Sequence, residues 1–140
     1  MARYLLDTNI LAFLVSGDSD SISNETKEIL TDYHNQLYTS SVAILELLQL
    51  YRIKKIQPKK FKNSTELFDA IENVFFIKIM PFAKEHLNTL SKLNITTDHN
   101  DPFDHSIIAQ AISEKMILVS SDKKFKAYIS QNLSLAFNRR

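Results

Sequence analysis

Short apolar runs recur along this chain with amphipathic stretches between them, and that alternation limits the folds open to it. Arg3 to Leu6, Leu37 to Thr39, Phe76 to Ile79 and Met116 to Val119 read as strands, with Leu133 to Phe137 as a fifth after a helical turn around Phe125. Between them the spacing predicts six helices. The first runs from Thr8 to about Ser16 and ends at Gly17; the second is capped by Ser21 or Ser23 and runs to about His34. The third is capped by Ser40 or Ser41 and continues through Ile53; the fourth opens at Ser64 or Thr65, with Leu67, Phe68, Ile71, Val74 and Phe75 as its core stripe. Pro81 opens the fifth, with Ala83, Leu87, Leu90 and Leu93 inward, and Asp101 caps the sixth, which runs to about Lys115. Strands alternating with helices call for a three-layer α/β/α sandwich around a mostly parallel sheet of four to five strands. A chain of 140 residues suffices for one substantial core, so residues 1–140 are expected to form a single domain.

Three absences narrow the chemistry. The chain has no cysteine, which excludes a disulfide scaffold, a thiolate nucleophile and a thiolate zinc site. Its one glycine, Gly17, excludes the glycine-rich loops that bring backbone close to nucleotide phosphates, so no nucleotide cofactor is expected. Asp7, Thr8 and Asn9 interrupt the apolar N-terminal run, and no other stretch approaches the roughly 20 residues of a bilayer span, so a cytoplasmic protein is expected.

Net charge is only +1, yet its distribution is uneven. Arg52, Lys54, Lys55, Lys59, Lys60 and Lys62 fall in one segment without an acid, and Lys123, Lys124, Lys126, Arg139 and Arg140 gather near the end. Such runs are commonly solvated faces; Lys54, Lys55, Lys59, Lys60 and Lys123 are the candidates for phosphate contact.

The acids carry the stronger signal. In open parallel sheets ligands bind beyond the carboxyl ends of the strands, which is where Asp7 and Asp122 fall. Asp104 lies in the first turn of the sixth helix, on a face with Ile107, Ile108 and Ala111. Glu46 is the only ionisable group between Val42 and Leu50, and a lone carboxylate in so apolar a helix needs a partner, Arg3 being one candidate. Each acid alone has an ordinary reading: Asp7 and Asp101 as helix caps, Asp122 as a turn residue. Together they can converge, and close carboxylates in a partly dry pocket need a compensating cation. All-oxygen donors favour magnesium or manganese over zinc. His99 and His105 lack the helical spacing of paired histidine ligands, and His105 is instead a candidate for substrate contact. Thr8 and Ser120 carry hydroxyls suited to orienting a carboxylate.

Four segments together resemble the PIN-domain ribonucleases, and are closely similar to the VapC toxins of bacterial toxin–antitoxin pairs. They are Leu5-Leu6-Asp7-Thr8-Asn9; Ser41 through Glu46-Leu47; Asp101-Pro102-Phe103-Asp104-His105 with Ile108-Ala109-Gln110-Ala111; and Leu118-Val119-Ser120-Ser121-Asp122. The resemblance implies a Mg2+- or Mn2+-dependent endoribonuclease, held inactive by a VapB-type antitoxin and usually a homodimer. Residue by residue it implies that Asp7, Glu46, Asp104 and Asp122 are the catalytic, metal-holding quartet. Asp101 would be an additional acid of the toxin branch, with Asn9 and Ser120 steadying the pocket. Position 105 commonly carries Arg and position 120 Thr, where this chain has His105 and Ser120, departures that bear on substrate contact and leave every carboxylate in place. On this reading a metal-activated water cleaves RNA, leaving 5′-phosphate and 3′-hydroxyl ends. The alternatives are a housekeeping PIN-type RNA-processing nuclease without an antitoxin, a hydrolase with Asp7 as nucleophile, and a non-catalytic RNA- or protein-binding module.

Overall fold

The computed structural model describes residues 2–140. Five strands form one sheet: β1 (Arg3–Leu6), β2 (Gln36–Ser40), β3 (Lys78–Met80), β4 (Ile117–Ser120) and β5 (Ser134–Phe137). Their order is β3-β2-β1-β4-β5 and every pairing is parallel. The helices are α1 (Thr8–Val15), α2 (Asn24–Thr31), α3 (Ser41–Arg52), α4 (Ser64–Asn73), α5 (Lys84–Lys92) and α6 (Pro102–Glu114), with 3₁₀ segments at Ser19–Ser21 and Lys123–Gln131. The expected α/β/α architecture is therefore present, with an all-parallel sheet.

Consecutive residues of a strand point to opposite faces. In β1 both Leu5 and Leu6 are fully buried, as are Leu118 and Val119, their register partners in β4. The sheet is thus covered on both sides, and the core continues into Ile10 and Leu11 of α1, Leu47 of α3 and Ile107 and Ile108 of α6. Leu5→Ala is expected to cost about 3 kcal/mol in chemical denaturation, because a central strand has little freedom to collapse into the cavity left behind. Among the described residues no helix is long and apolar enough to cross a membrane.

Local signals account for the helix ends. Asp7, Ser23, Ser40, Asn63 and Asp101 each cap a helix through a side-chain oxygen. Gly17 follows α1 at φ +67°, a conformation that favours glycine.

Three expectations are corrected. Phe76 is not in β3: its φ is +56° and the residue is 79% exposed, so the strand begins two residues later at Lys78. Helix α5 starts at Lys84 with Ala83 as its cap, and its inward face differs from the expected one: His86 is buried while Leu87 is 53% exposed. In α4 the buried residues are Leu67, Ala70 and Ile71, whereas Phe68 and Val74 are exposed.

Candidate active site

Because β1 and β4 are adjacent, parallel and in register, Asp7 and Ser120 leave the same edge of the sheet side by side. Asp7 is 3% exposed. One of its oxygens accepts the Thr8 amide (2.7 Å) and the other accepts the Ser120 hydroxyl (2.7 Å), so the carboxylate that caps α1 is held at both ends. Ser120 Oγ in turn accepts the Asp122 amide at 3.0 Å and lies 3.4 Å from Asn9 Nδ2, while Asn9 Oδ1 accepts the Ser121 amide (3.3 Å). The turn after β4 is thereby tied to the start of α1, and Asp122 caps the following 3₁₀ segment through the Lys124 amide (3.0 Å).

Glu46 enters from α3. Thr8 Oγ1 donates to its Oε1 at 2.6 Å, which supplies the partner that the apolar helix lacks. Arg3 does not fill that role: its guanidinium donates to the Glu114 carbonyl (2.5 Å).

Asp101 caps α6 through the Phe103 amide (2.9 Å), and Asp104 follows one turn later with a support that the sequence did not reveal. The buried His99 ring places Nε2 3.0 Å from Asp104 Oδ2 and Nδ1 2.8 Å from the Tyr128 hydroxyl. That hydroxyl oxygen accepts the Thr96 amide (3.2 Å), leaving its proton for His99 Nδ1. In that arrangement Nε2 is the ring nitrogen that donates to Asp104. His99 therefore backs a carboxylate and does not open toward the pocket.

The four acids of the expected quartet, with Thr8, Asn9 and Asp101, line one cavity of about 320 Å³ whose other walls include Phe13, Leu50 and Arg140. Ser120 is buried behind Asp7. The electrostatics follow from that crowding. Burial pushes the Asp7 carboxyl up to about 7, and the charges of Asp104 and Glu46 push the same way against the hydrogen bonds from Ser120 and Thr8. Burial also raises Glu46, offset by the Thr8 hydrogen bond and reinforced by Asp101 and Asp104. Asp104 is raised by burial, lowered by His99, and raised again by Asp101 and Asp122. Asp104 is the common member of these couplings: its charge acts on Asp7 and Glu46, and it is itself acted on by Asp101 and Asp122.

A cluster that resists full ionisation, built only of oxygen donors already aimed by hydrogen bonds, fits a hard divalent cation. Its carboxylates surround the cavity without any three of them offering ligand atoms within 4.8 Å of one another. Among the described residues the one trio of possible ligand atoms within 4.8 Å of one another is Glu85, His86 and Glu114. There both ring nitrogens of His86 are engaged, Nδ1 by the Ala83 amide (2.8 Å) and Nε2 by Glu114 (2.7 Å), so the trio is better explained as a helix-end tie.

The candidate substrate contacts are placed unevenly. His105 folds back, its Nε2 donating to the His99 carbonyl (2.7 Å), and braces the loop before α6. Lys54 and Lys59 line a different and larger cavity of about 480 Å³ with Tyr51, Pro58 and Phe61. Lys55 and Lys60 line neither cavity. Lys123 lies in a neighbouring cavity that shares Arg140 with the acidic one. The sequence reading missed Tyr128 and Arg140; the only signal for either was the basic cluster to which Arg140 belongs.

The PIN-domain family model matches residues 4–129. No curated protein sequence matches the chain. Among solved structures it is similar to VapBC2 from Rickettsia felis bound to a DNA fragment from their promoter, at 25% identity over 97% of this chain and 98% of the other, with a TM-score of 0.67. VapBC-1 from nontypeable Haemophilus influenzae is 19% identical over 96% and 97% of the two chains, with a TM-score of 0.67. Mycobacterium tuberculosis VapC20, a sarcin–ricin loop cleaving toxin, is 14% identical over 89% and 93%, with a TM-score of 0.64.

Proposed function

The chain belongs to the PIN-domain family, and from that premise we propose that it is a metal-dependent endoribonuclease, the toxin of a VapBC-type toxin–antitoxin pair. The observation that carries this reading is the gathering of Asp7, Glu46, Asp104 and Asp122 around one cavity at the carboxyl edge of the sheet, three of them with raised proton affinity. Asp7, Glu46, Asp104 and Asp122 would hold magnesium or manganese, which when bound supplies charge neutralisation at phosphate oxygens and makes water a better nucleophile at neutral pH.

The remaining steps belong to side chains. Ser120 and the Thr8 amide fix the Asp7 carboxylate so that little reorganisation is needed when a cation and a phosphodiester arrive. Thr8 holds Glu46, and the Tyr128–His99 pair holds Asp104. Losing such supporting groups typically costs 10- to 100-fold in metal affinity or activity. His99→Ala is accordingly expected to lower RNA cleavage about tenfold and, by leaving Tyr128 without its acceptor, to cost about 1 to 3 kcal/mol of stability. Steady-state cleavage and urea denaturation check the two effects separately.

Incubation with total RNA and Mn2+, followed by mapping of the ends, tests the activity. Discrete cuts with 5′-phosphate and 3′-hydroxyl ends are expected from the wild-type protein, and intact RNA across a range of metals would refute it. The partner part of the reading rests on the likeness to the VapBC2 complex and on the acidic pocket, which suits the planar guanidinium of an antitoxin arginine. A tagged copy is expected to co-purify from its host with a small DNA-binding protein that suppresses cleavage. A second copy of the chain completes the proposed set of partners.

A further inference from the structure

An RNA strand that brings one phosphodiester to a ring of carboxylates must carry its neighbouring phosphates past the same negative field. A held cation compensates the phosphate that reacts; the flanking ones need cations of the protein. Most of the chain's basic residues are badly placed for this, because Arg140 alone among the lysines and arginines lines the acidic cavity.

Arg140 also lines a second cavity, of about 440 Å³, together with Lys123, Lys126 and Arg139. No aspartate or glutamate lines it. Among the described residues the ion pairs within 4.0 Å all involve histidine, so none of these four cations is committed to an acid. The cluster is also held in place. Asn138 is fully buried: its Nδ2 donates to the Ser21 carbonyl (2.8 Å) and lies 2.7 Å from Ser121 Oγ, and its Oδ1 accepts the Ser23 amide (2.8 Å). Its own amide donates to the Ser120 carbonyl (2.8 Å), which fixes the backbone leading to Arg139 beside the residue that holds Asp7. Lys126 extends its ammonium 4.1 Å over the Phe137 ring, and the Arg140 guanidinium lies 4.9 Å over Phe13, itself a wall of the acidic cavity.

The geometry points to a phosphate subsite formed by Lys123, Lys126, Arg139 and Arg140, which takes a backbone phosphate of the RNA strand next to the one held in the acidic cavity. This rests on the ribonuclease reading above and adds the direction of the strand: it leaves the acidic cavity over the ends of β4 and β5 and not over the basic loop after α3. Losing this one phosphate contact from a single-stranded complex should make the salt dependence of binding shallower by about 0.7 in log–log slope.

The test uses a fluorescein-labelled 12-nucleotide single-stranded RNA, read by anisotropy in Ca2+ across a salt series, with Mn2+-dependent cleavage of total RNA measured in parallel. The doubly substituted Lys126→Ala, Arg139→Ala protein is expected to bind at least tenfold more weakly, with the shallower slope and with Mn2+ affinity unchanged by calorimetry. A Lys84→Ala, Lys92→Ala protein loses the same charge from α5, away from both cavities, and is expected to bind within twofold of wild type. Equal binding by wild type and the Lys126, Arg139 variant, or equal weakening in both double variants, overturns the subsite while cleavage by the wild type leaves the ribonuclease reading intact. A wild-type protein that neither binds nor cleaves RNA overturns both.

Discussion

Asp7→Asn is expected to reduce RNA cleavage about a thousandfold or more and, at the same time, to make the metal-free protein more stable at pH 8. The loss follows from removing the most buried of the four acids and with it the charge that would face both cation and phosphate. The gain follows from the pKa of about 7 that burial and neighbouring charges impose on the same group. In the unfolded chain the carboxyl loses its proton near pH 4, in the folded metal-free protein only near 7. Between those values the folded state binds more protons, so stability is highest below about pH 4 for this group and falls as pH rises to about 7. Asparagine carries no such slope. A gain of about 3 °C or more in melting temperature at pH 8 in chelator, shrinking toward pH 4, is the expected signature, measured by thermal denaturation. The gain reports the burial of the carboxyl, and the loss of cleavage separates a catalytic group from a residue that only caps α1.

Added cation should act on the same group with the opposite pH dependence. Mn2+ at about a hundredfold over its dissociation constant at pH 8 is expected to stabilise the protein by about 2.7 kcal/mol. Below about pH 7 the ion competes with the proton on Asp7 for the same oxygens, and its apparent affinity should fall about tenfold per pH unit. At pH 5 the same Mn2+ concentration should then contribute less than about 0.5 kcal/mol. Chelation should end RNA cleavage at every pH, and Asp7→Asn should remove the pH-dependent part of the melting shift. Scanning calorimetry at the two pH values, with and without Mn2+, distinguishes this from a salt effect, which Na+ at equal ionic strength would reproduce.

The parts of the fold that could be read from sequence are those set by local physics. Capping by Asp7, Ser23, Ser40 and Asp101 fixes helix starts, and apolar runs such as Leu5-Leu6 and Leu118-Val119 fix the central strands. Errors arose where two local signals compete. Phe75-Phe76-Ile77 has the composition of a strand, but the left-handed backbone at Phe76 puts its ring in solvent. Pro81 has the character of a helix opener, yet His86 Nδ1 captures the Ala83 amide and starts α5 three residues later, exchanging Leu87 for His86 in the interior.

The acidic site was legible because its members follow strand ends and helix starts, positions that parallel topology carries to one edge. What supports it was not. His99 reaches Asp104 only because the loop before α6 turns back, and its Tyr128 partner comes from a segment 29 residues later. The basic residues show the same limit: their charge is visible in the chain, but their distance from Asp7 depends on which strand closes the sheet. Pairing of β5 with β4 brings Arg140 to the acidic cavity and Arg139 to the cavity beside it, whereas the equally basic loop after α3 closes over a cavity of its own.

The most direct measurement of the central claim compares wild-type and Asp7→Asn proteins on total RNA in Mn2+, with circular dichroism to establish that both are folded and with mapping of every new end. Discrete 5′-phosphate and 3′-hydroxyl ends from the wild type, absent in chelator and absent with Asp7→Asn, are the expected result. Undiminished Mn2+-dependent cleavage by a folded Asp7→Asn protein would contradict the assignment of the acidic cavity as the active site.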